Sequence, residues 1–206
     1  MSFYPLKLRV VHGEWRLFAL RRDDPKFAEF KKRVLRRDNY TCQFCGFQAK
    51  DYQEVVNLDH DYHNNKMDNI VTSCLLCAQC LFLDAIGKGE YGGGTLVYLP
   101  EFSQNELNAF SHVLFCAMAN NTAYKDDAKT IYRTLKLRSK IIEEKLGEGL
   151  SDPSMLGQML IDAYVVGRKQ VREKMLADIR LLPSRDRFEE QIKKWANSAD
   201  VVNPES

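Results

Sequence analysis

Apolar and polar positions alternate near the N-terminus through Leu8, Val10, Trp15, Leu17 and Ala19, which predicts one or two short strands over residues 6–18 turning at Gly13. The period then lengthens. Phe27, Phe30, Val34 and Leu35 recur at helical spacing behind Asp24, a suitable N-cap, and Pro25, whose missing N–H costs nothing at the first helical position. Asp38-Asn39 ends that helix. Tyr40 to Phe47 form a knuckle, and Val55, Val56 and Leu58 make a short strand that delivers Asp59 and His60 to its end. Tyr62–Asp68 is a polar loop, and Ile70 and Val71 bring the chain back. Residues 75–86 are almost all apolar and predict a buried helix ending at Gly87.

The glycine-rich run Gly87 to Gly94 leads to Thr95–Leu99, a β-like stretch stopped by Pro100, and residues 87–100 divide the chain into two halves. Its glycines match neither nucleotide-binding spacing, so phosphate binding has no support there. The second half reads as helical. Ser103 and Glu106 form a capping box ahead of a stripe of Leu107, Phe110, Val113, Leu114, Ala117 and Met118. A longer helix is expected from about Ala123 to Leu146, closed by Gly147. Asp152-Pro153 opens another, with Leu156, Met159, Leu160, Ala163 and Val166 facing inward, and 168–182 continues it or forms its own helix. Ser184 opens the last, anchored by Phe188, Ile192 and Trp195, and Val201–Ser206 is expected to fray. No repeat marks a solenoid.

Composition changes this picture little. The 206 residues carry a formal net charge of +2, so the whole chain is not a nucleic-acid sponge. Eleven Lys or Arg against five Asp or Glu fall within residues 1–40, and Arg33, Arg36 and Arg37 cluster before the first cysteines. Such a cluster is ordinarily a solvated helix face. No apolar run is long enough to span a membrane and the N-terminus has no signal-peptide core, which predicts a cytoplasmic protein.

The cysteines change it a great deal. Cys42 and Cys45 form one C-x2-C pair, and after twenty-eight intervening residues Cys74 and Cys77 form another. In a reducing compartment this is metal-site spacing rather than a disulfide framework. Two such knuckles place four thiolates tetrahedrally around one Zn²⁺ and leave no open position for a water, so the ion is structural. Cys77 and Cys80 make an overlapping pair, but Cys80 falls inside the following helix. Cys116 lies on the capped helix's apolar stripe and reads as packing. Structural zinc contributes roughly 10–16 kcal/mol in finger peptides, as much as the roughly 5–15 kcal/mol that holds a whole domain together.

Phe27 to Gly87 resembles the HNH nuclease family through R-R-D-N-Y-T-C-Q-F-C-G (36–46), L-D-H (58–60) and D-N-I-V-T-S-C-L-L-C (68–77). The resemblance implies a ββα module in which His60 matches the general base, Asp59 a metal-ligand position and Asn69 the residue that orients the histidine. The family's closing His or Asn is here Ala78, and the basic residue three positions on is Leu81. His63 follows no family pattern. A cleavage metal needs a complete ligand set to polarise a phosphate, so no catalytic residue is expected.

A second likeness runs nearly the length of the chain. G-E-W-R-L-F-A-L-R-R (13–22), Y-G-G-G-T-L-V-Y-L-P (91–100), H-V-L-F-C-A (112–117) and I-R-L-L-P-S-R (179–185) are similar to runs in a subunit family of the Dot/Icm type IVB secretion system. That resemblance implies a non-enzymatic adaptor of the coupling-protein complex, without a small-molecule substrate. It would bind the cytosolic C-terminal tail of the DotL-like coupling ATPase and other coupling-complex subunits, sit at the cytosolic face of the inner membrane, and support effector recruitment and export. The expected architecture is α+β: an HNH-like zinc module with N-terminal strands over 1–100 and a helical extension over 101–206 packed on it. A metal-dependent HNH endonuclease and a DNA-binding module are the alternatives.

Overall fold

The computed structural model describes residues 3–120, 122–165 and 176–199, with side chains omitted at 163–165 and 198–199. The expectations for Ala163, Val166, 168–175 and the tail 201–206 lie outside what is described.

Leu6, Leu8 and Val10 do alternate into the core, but they form an extended segment rather than a strand. Its backbone bonds to three separate places: Tyr4 N to Gln43 O (2.9 Å), Arg9 N to Cys80 O (2.9 Å) and Leu83 N to Arg9 O (3.1 Å). The strand expected after Gly13 is instead a helix, α1 (Glu14–Arg22). Gly13 starts it at φ 84°, where a β-carbon is disfavoured. The local alternation loses to tertiary packing. Trp15 and Phe18, one helical turn apart, enter an aromatic cluster with Tyr91 (3.9 Å between centroids from Trp15) and Phe82 (4.8 Å from Phe18). Arg21, on the same face, donates to Val55 O (3.1 Å) and Asn57 Oδ1 and lies over the ring of Phe27.

α2 (Pro25–Arg37) forms as its pattern predicts, with the Asp24 carboxylate accepting from Lys26 N. It covers a two-stranded antiparallel hairpin, β1 (Gln53–Asn57) and β2 (Ile70–Cys74), paired from Gln53↔Cys74 to Asn57↔Ile70. Phe27, Val34, Leu35, Val55 and Ile70 pack between helix and hairpin. β2 runs directly into the single turn α3 (Leu75–Ala78).

The long buried helix expected over 75–86 does not form. α3 is followed by two 3-10 turns, Gln79–Leu81 and Leu83–Ala85, separated at Phe82 (φ −138°, ψ 58°). The segment is buried as expected, but apolar on every side, so no single stripe enforces a helix. The extended N-terminal segment takes the Cys80 carbonyl and the Leu83 amide that a helix would use itself.

β3 (Gly94–Tyr98) follows and pairs antiparallel with β4 (Ile179–Pro183), from Gly94↔Pro183 to Tyr98↔Ile179. The helix expected through 182 is therefore corrected to a strand at its end, because Ile179, Leu181 and Leu182 are buried against β3 and α4. α4 (Gln104–Ala119) carries the expected capping box. Its buried face differs from the predicted stripe: Val113 is exposed, whereas Gln104, Asn108, Ser111 and His112 are buried. The next helix is broken at Arg138 into α5 (Lys125–Leu137) and α6 (Ser139–Leu146). There Arg138 turns back to the Tyr98 carbonyl at the end of β3 and pairs with Glu101. α7 (Pro153–Val165) starts under the Asp152 carboxylate. The last helix begins later than Ser184: a 3-10 turn, Asp186–Phe188, leads into α8 (Glu189–Ala199), and Phe188 of the turn faces inward with Ile192 and Trp195 of α8 as predicted. The fold is α+β, and one core of buried side chains runs from Leu6 to Trp195.

Candidate metal centre

Two knuckles bring the four predicted cysteines together. In the first, Cys42 N donates to Phe47 O (2.8 Å) and Gly46 N to Cys42 O (3.0 Å), folding the loop back on itself. In the second, Cys74 ends β2 and Cys77 sits in the first turn of α3, so the strand-to-helix junction itself sets their spacing. Cys42, Cys74 and Cys77 are fully buried and Cys45 is half-buried.

The four sulfurs all lie within 4.8 Å of one another, with Cys45 and Cys74 3.6 Å apart. Sulfurs about 2.3 Å from a tetrahedral ion stand about 3.8 Å apart, so a single ion fits among them. A disulfide needs about 2.05 Å. Their electrostatics point the same way. Burial opposes a thiolate at Cys42, but hydrogen bonding from Cys45, Cys74 and Cys77 overcomes it and holds that thiol well below its ordinary value. Burial, then the Cys42 group, pushes Cys74 and Cys77 well up. A bound divalent cation is the chemistry that lets all four cysteines ionise in so small a buried volume.

Cys80 stands apart. Its thiol donates to Leu76 O (3.3 Å), as a helical thiol does, and burial pushes it up to about 12. Cys116 is half-buried on α4, and burial raises its thiol too.

Sequence reasoning missed the groups around the sulfurs. His112 Nε2 lies 3.3 Å from Cys74 Sγ, and Asn108 Nδ2 lies 3.2 Å from Cys77 Sγ. Burial lowers His112 to about 3, so its imidazole is neutral. The available signal was a polar i, i+4, i+8 row, Gln104, Asn108 and His112, on an otherwise apolar helix.

The residues that match an HNH site form a network of their own in the loop after β1. The exposed Asp59 carboxylate accepts from Asn64 Nδ2 (2.6 Å), Asn69 Nδ2 (2.8 Å) and Asp61 N (2.9 Å). Asn69, matched to the orienting residue, thus holds Asp59, and His60 Nδ1 is buried without a hydrogen-bond partner. Burial, then the nearby Arg9, lowers His60 to about 4. Ala78 and Leu81 are buried in the core and His63 is exposed. The basic cluster is also divided. Arg37 donates to Ile70 O (2.7 Å), Met67 O and Asp38, which anchors the end of α2 to the hairpin, while Arg33 and Arg36 face solvent.

An open cleft of about 470 Å³ lies against Glu90, Asp186, Glu189 and Glu190 and includes none of the cysteines. There Glu189 is paired with Lys193, and Glu190 accepts from the Tyr52 hydroxyl. Among the described residues, no helix is long and apolar enough to cross a membrane.

No protein-family profile matches the chain. It is 55% identical over 194 residues to the type 4 apparatus protein DotN of Legionella pneumophila, an alignment covering 94% of this chain and 90% of that protein. Likeness at that level, spanning both cysteine pairs, α4 and β4, decides the relationship: this chain belongs to the DotN family.

Proposed function

We propose that the protein is a non-catalytic, zinc-stapled adaptor subunit of a type IVB secretion coupling complex. One observation carries the reading: four cysteine sulfurs, three of them in fully buried residues, converge on a single ion-sized space, while Asp59 and Asn69 of the HNH-type set are bonded to each other. An all-sulfur, four-coordinate set with no carboxylate selects Zn²⁺ over Mg²⁺ or Ca²⁺ and closes the shell. Zinc there would be structural, with Cys42, Cys45, Cys74 and Cys77 as its ligands.

Such an ion pins the knuckle of residues 40–47 to the β2–α3 junction. That makes residues 1–100 a rigid module on which the helical extension, 101–206, rests. DotN is by name a type 4 apparatus protein, and that relationship supports membership in the same kind of assembly. The partner we propose is the cytosolic C-terminal tail of the DotL-like coupling ATPase, together with other coupling-complex subunits. The protein would then sit at the cytosolic face of the inner membrane and support effector recruitment and export. Nuclease activity is not part of the reading, because Asp59 has both carboxylate oxygens engaged and Ala78 offers no ligand atom.

The test is capture of the full-length chain on the isolated ATPase tail. Binding at or below micromolar concentration is expected. A folded, metal-loaded chain that ignores the tail at that concentration overturns the adaptor reading.

A further inference from the structure

A buried polar side chain is costly unless it finds a partner, and α4 buries four of them. Two have ordinary partners. Gln104 Nε2 donates to Leu181 O (2.9 Å) and its Oε1 accepts from Leu181 N (2.8 Å), which fastens α4 to β4. Ser111 Oγ donates to Leu107 O (2.7 Å). The other two turn toward sulfur. Asn108 Nδ2 reaches Cys77 Sγ (3.2 Å), Leu76 O (3.2 Å) and Cys80 Sγ (3.6 Å), and His112 Nε2 reaches Cys74 Sγ (3.3 Å).

The imidazole of His112 is held in place. It stacks on Phe47 with 3.6 Å between centroids and 5° between planes, and Trp195 of α8 closes over its edge at 5.1 Å. Its Nδ1 is buried with no hydrogen-bond partner. That pattern makes sense for one tautomer only. A metal-bound thiolate has no proton to give, so a bond between Nε2 and Cys74 Sγ requires the imidazole to carry its proton on Nε2. The other tautomer would aim a lone pair at an anionic sulfur and bury an unpaired Nδ1–H. The Asn108 amide nitrogen can likewise only donate.

We propose that His112 and Asn108 are positioning residues for the metal, N–H···S donors whose hydrogen bonds to Cys74 and Cys77 spread the thiolate charge and lock the second knuckle onto α4. The proposal rests on the reading of the four cysteines as a metal site. It goes beyond that reading in one respect: retention of the ion depends on a helix that supplies none of its ligands. The knuckle, α4 and α8 then form one coupled unit through Phe47, His112 and Trp195.

The test uses the full-length chain loaded with Zn²⁺ or with Co²⁺ as a spectroscopic probe. In the zinc-loaded wild type, ¹⁵N NMR should show His112 protonated on Nε2 and bare on Nδ1. His112→Phe keeps a flat ring on Phe47 but has no N–H, and Asn108→Leu removes the amide. Both should shift the thiolate-to-cobalt charge-transfer bands and release zinc to a competing chelator about 10–100-fold faster. His112→Gln, which retains an N–H, should recover part of the difference. A bare Nε2 in the wild type overturns the proposal, as do unchanged bands and release rates in both variants. If His112→Phe fails to fold, the wild-type tautomer still decides. A wild-type chain that takes up neither Zn²⁺ nor Co²⁺ overturns the metal reading itself.

Discussion

Gly157 lies in α7, where helix propensity alone predicts that alanine would stabilise the protein by about 1 kcal/mol. The packing predicts the reverse. A β-carbon at Gly157 would stand 2.8 Å from Asp84 N, 2.9 Å from Asp84 Cα and 3.2 Å from Leu83 C. All three are backbone atoms of the 3-10 turn that follows the cysteine-bearing segment, and none can rotate away. Normal carbon contacts are about 3.5–4.0 Å, so α7 would have to back off by roughly half an ångström or more. That would loosen Leu156 and Leu160, both fully buried. Overpacking of this kind costs about 1–3 kcal/mol, and after the propensity gain of about 1 kcal/mol we expect a net loss of about 1 kcal/mol. At about 2–4 °C per kcal/mol for a chain of this size, Gly157→Ala should lower Tm by about 2–4 °C. The assay is thermal unfolding followed by circular dichroism, with wild type and variant at equal metal content. An unchanged or higher Tm would refute the close backbone approach.

Cys42, Cys45, Cys74 and Cys77 should each lose metal binding and the native fold on replacement by serine, whereas Cys80→Ser should keep its full metal content in elemental analysis. Arg37→Ala, which frees the Met67 and Ile70 carbonyls, should cost about 1–3 kcal/mol in urea unfolding, and Arg36→Ala should stay within about 0.5 kcal/mol of wild type. His60 has its proton affinity lowered to about 4, so between that pH and its ordinary value of about 6.5 the unfolded chain binds a proton that the folded chain refuses. Stability should therefore fall as pH drops from 6.5 toward 4, and His60→Asn, which also suits φ 64° better, should flatten the profile measured by urea unfolding. At neutral pH the same variant should leave binding to the ATPase tail unchanged, and neither it nor wild type should nick plasmid DNA with Mg²⁺ or Mn²⁺.

What could be read in advance divides along physical lines. α2, the capping box of α4 and the anchors of α8 depend on residues a few positions apart, so Asp24-Pro25, Ser103–Glu106 and Phe188–Ile192–Trp195 announced them. The cysteine pairs were legible for the same reason, since knuckle spacing is local. The failures were elements decided from far away. α1 is a helix because Trp15 and Phe18 meet Phe82 and Tyr91, contacts that no local period encodes. Residues 75–86 break up because residue 9 claims their backbone groups, and 179–183 is a strand because residues 94–98 lie beside it. His112 and Asn108 lie outside the apolar stripe that predicts α4, and only the position of the sulfurs gives them a purpose.

The most direct test of the account is metal stoichiometry by elemental analysis of the purified full-length chain, alone and after exposure to Mg²⁺ or Mn²⁺. One tightly held zinc per chain, with no second ion retained, is the predicted result. A folded chain that holds no zinc and takes none up, or one that also retains a stoichiometric divalent ion dependent on Asp59 and His60, would contradict it.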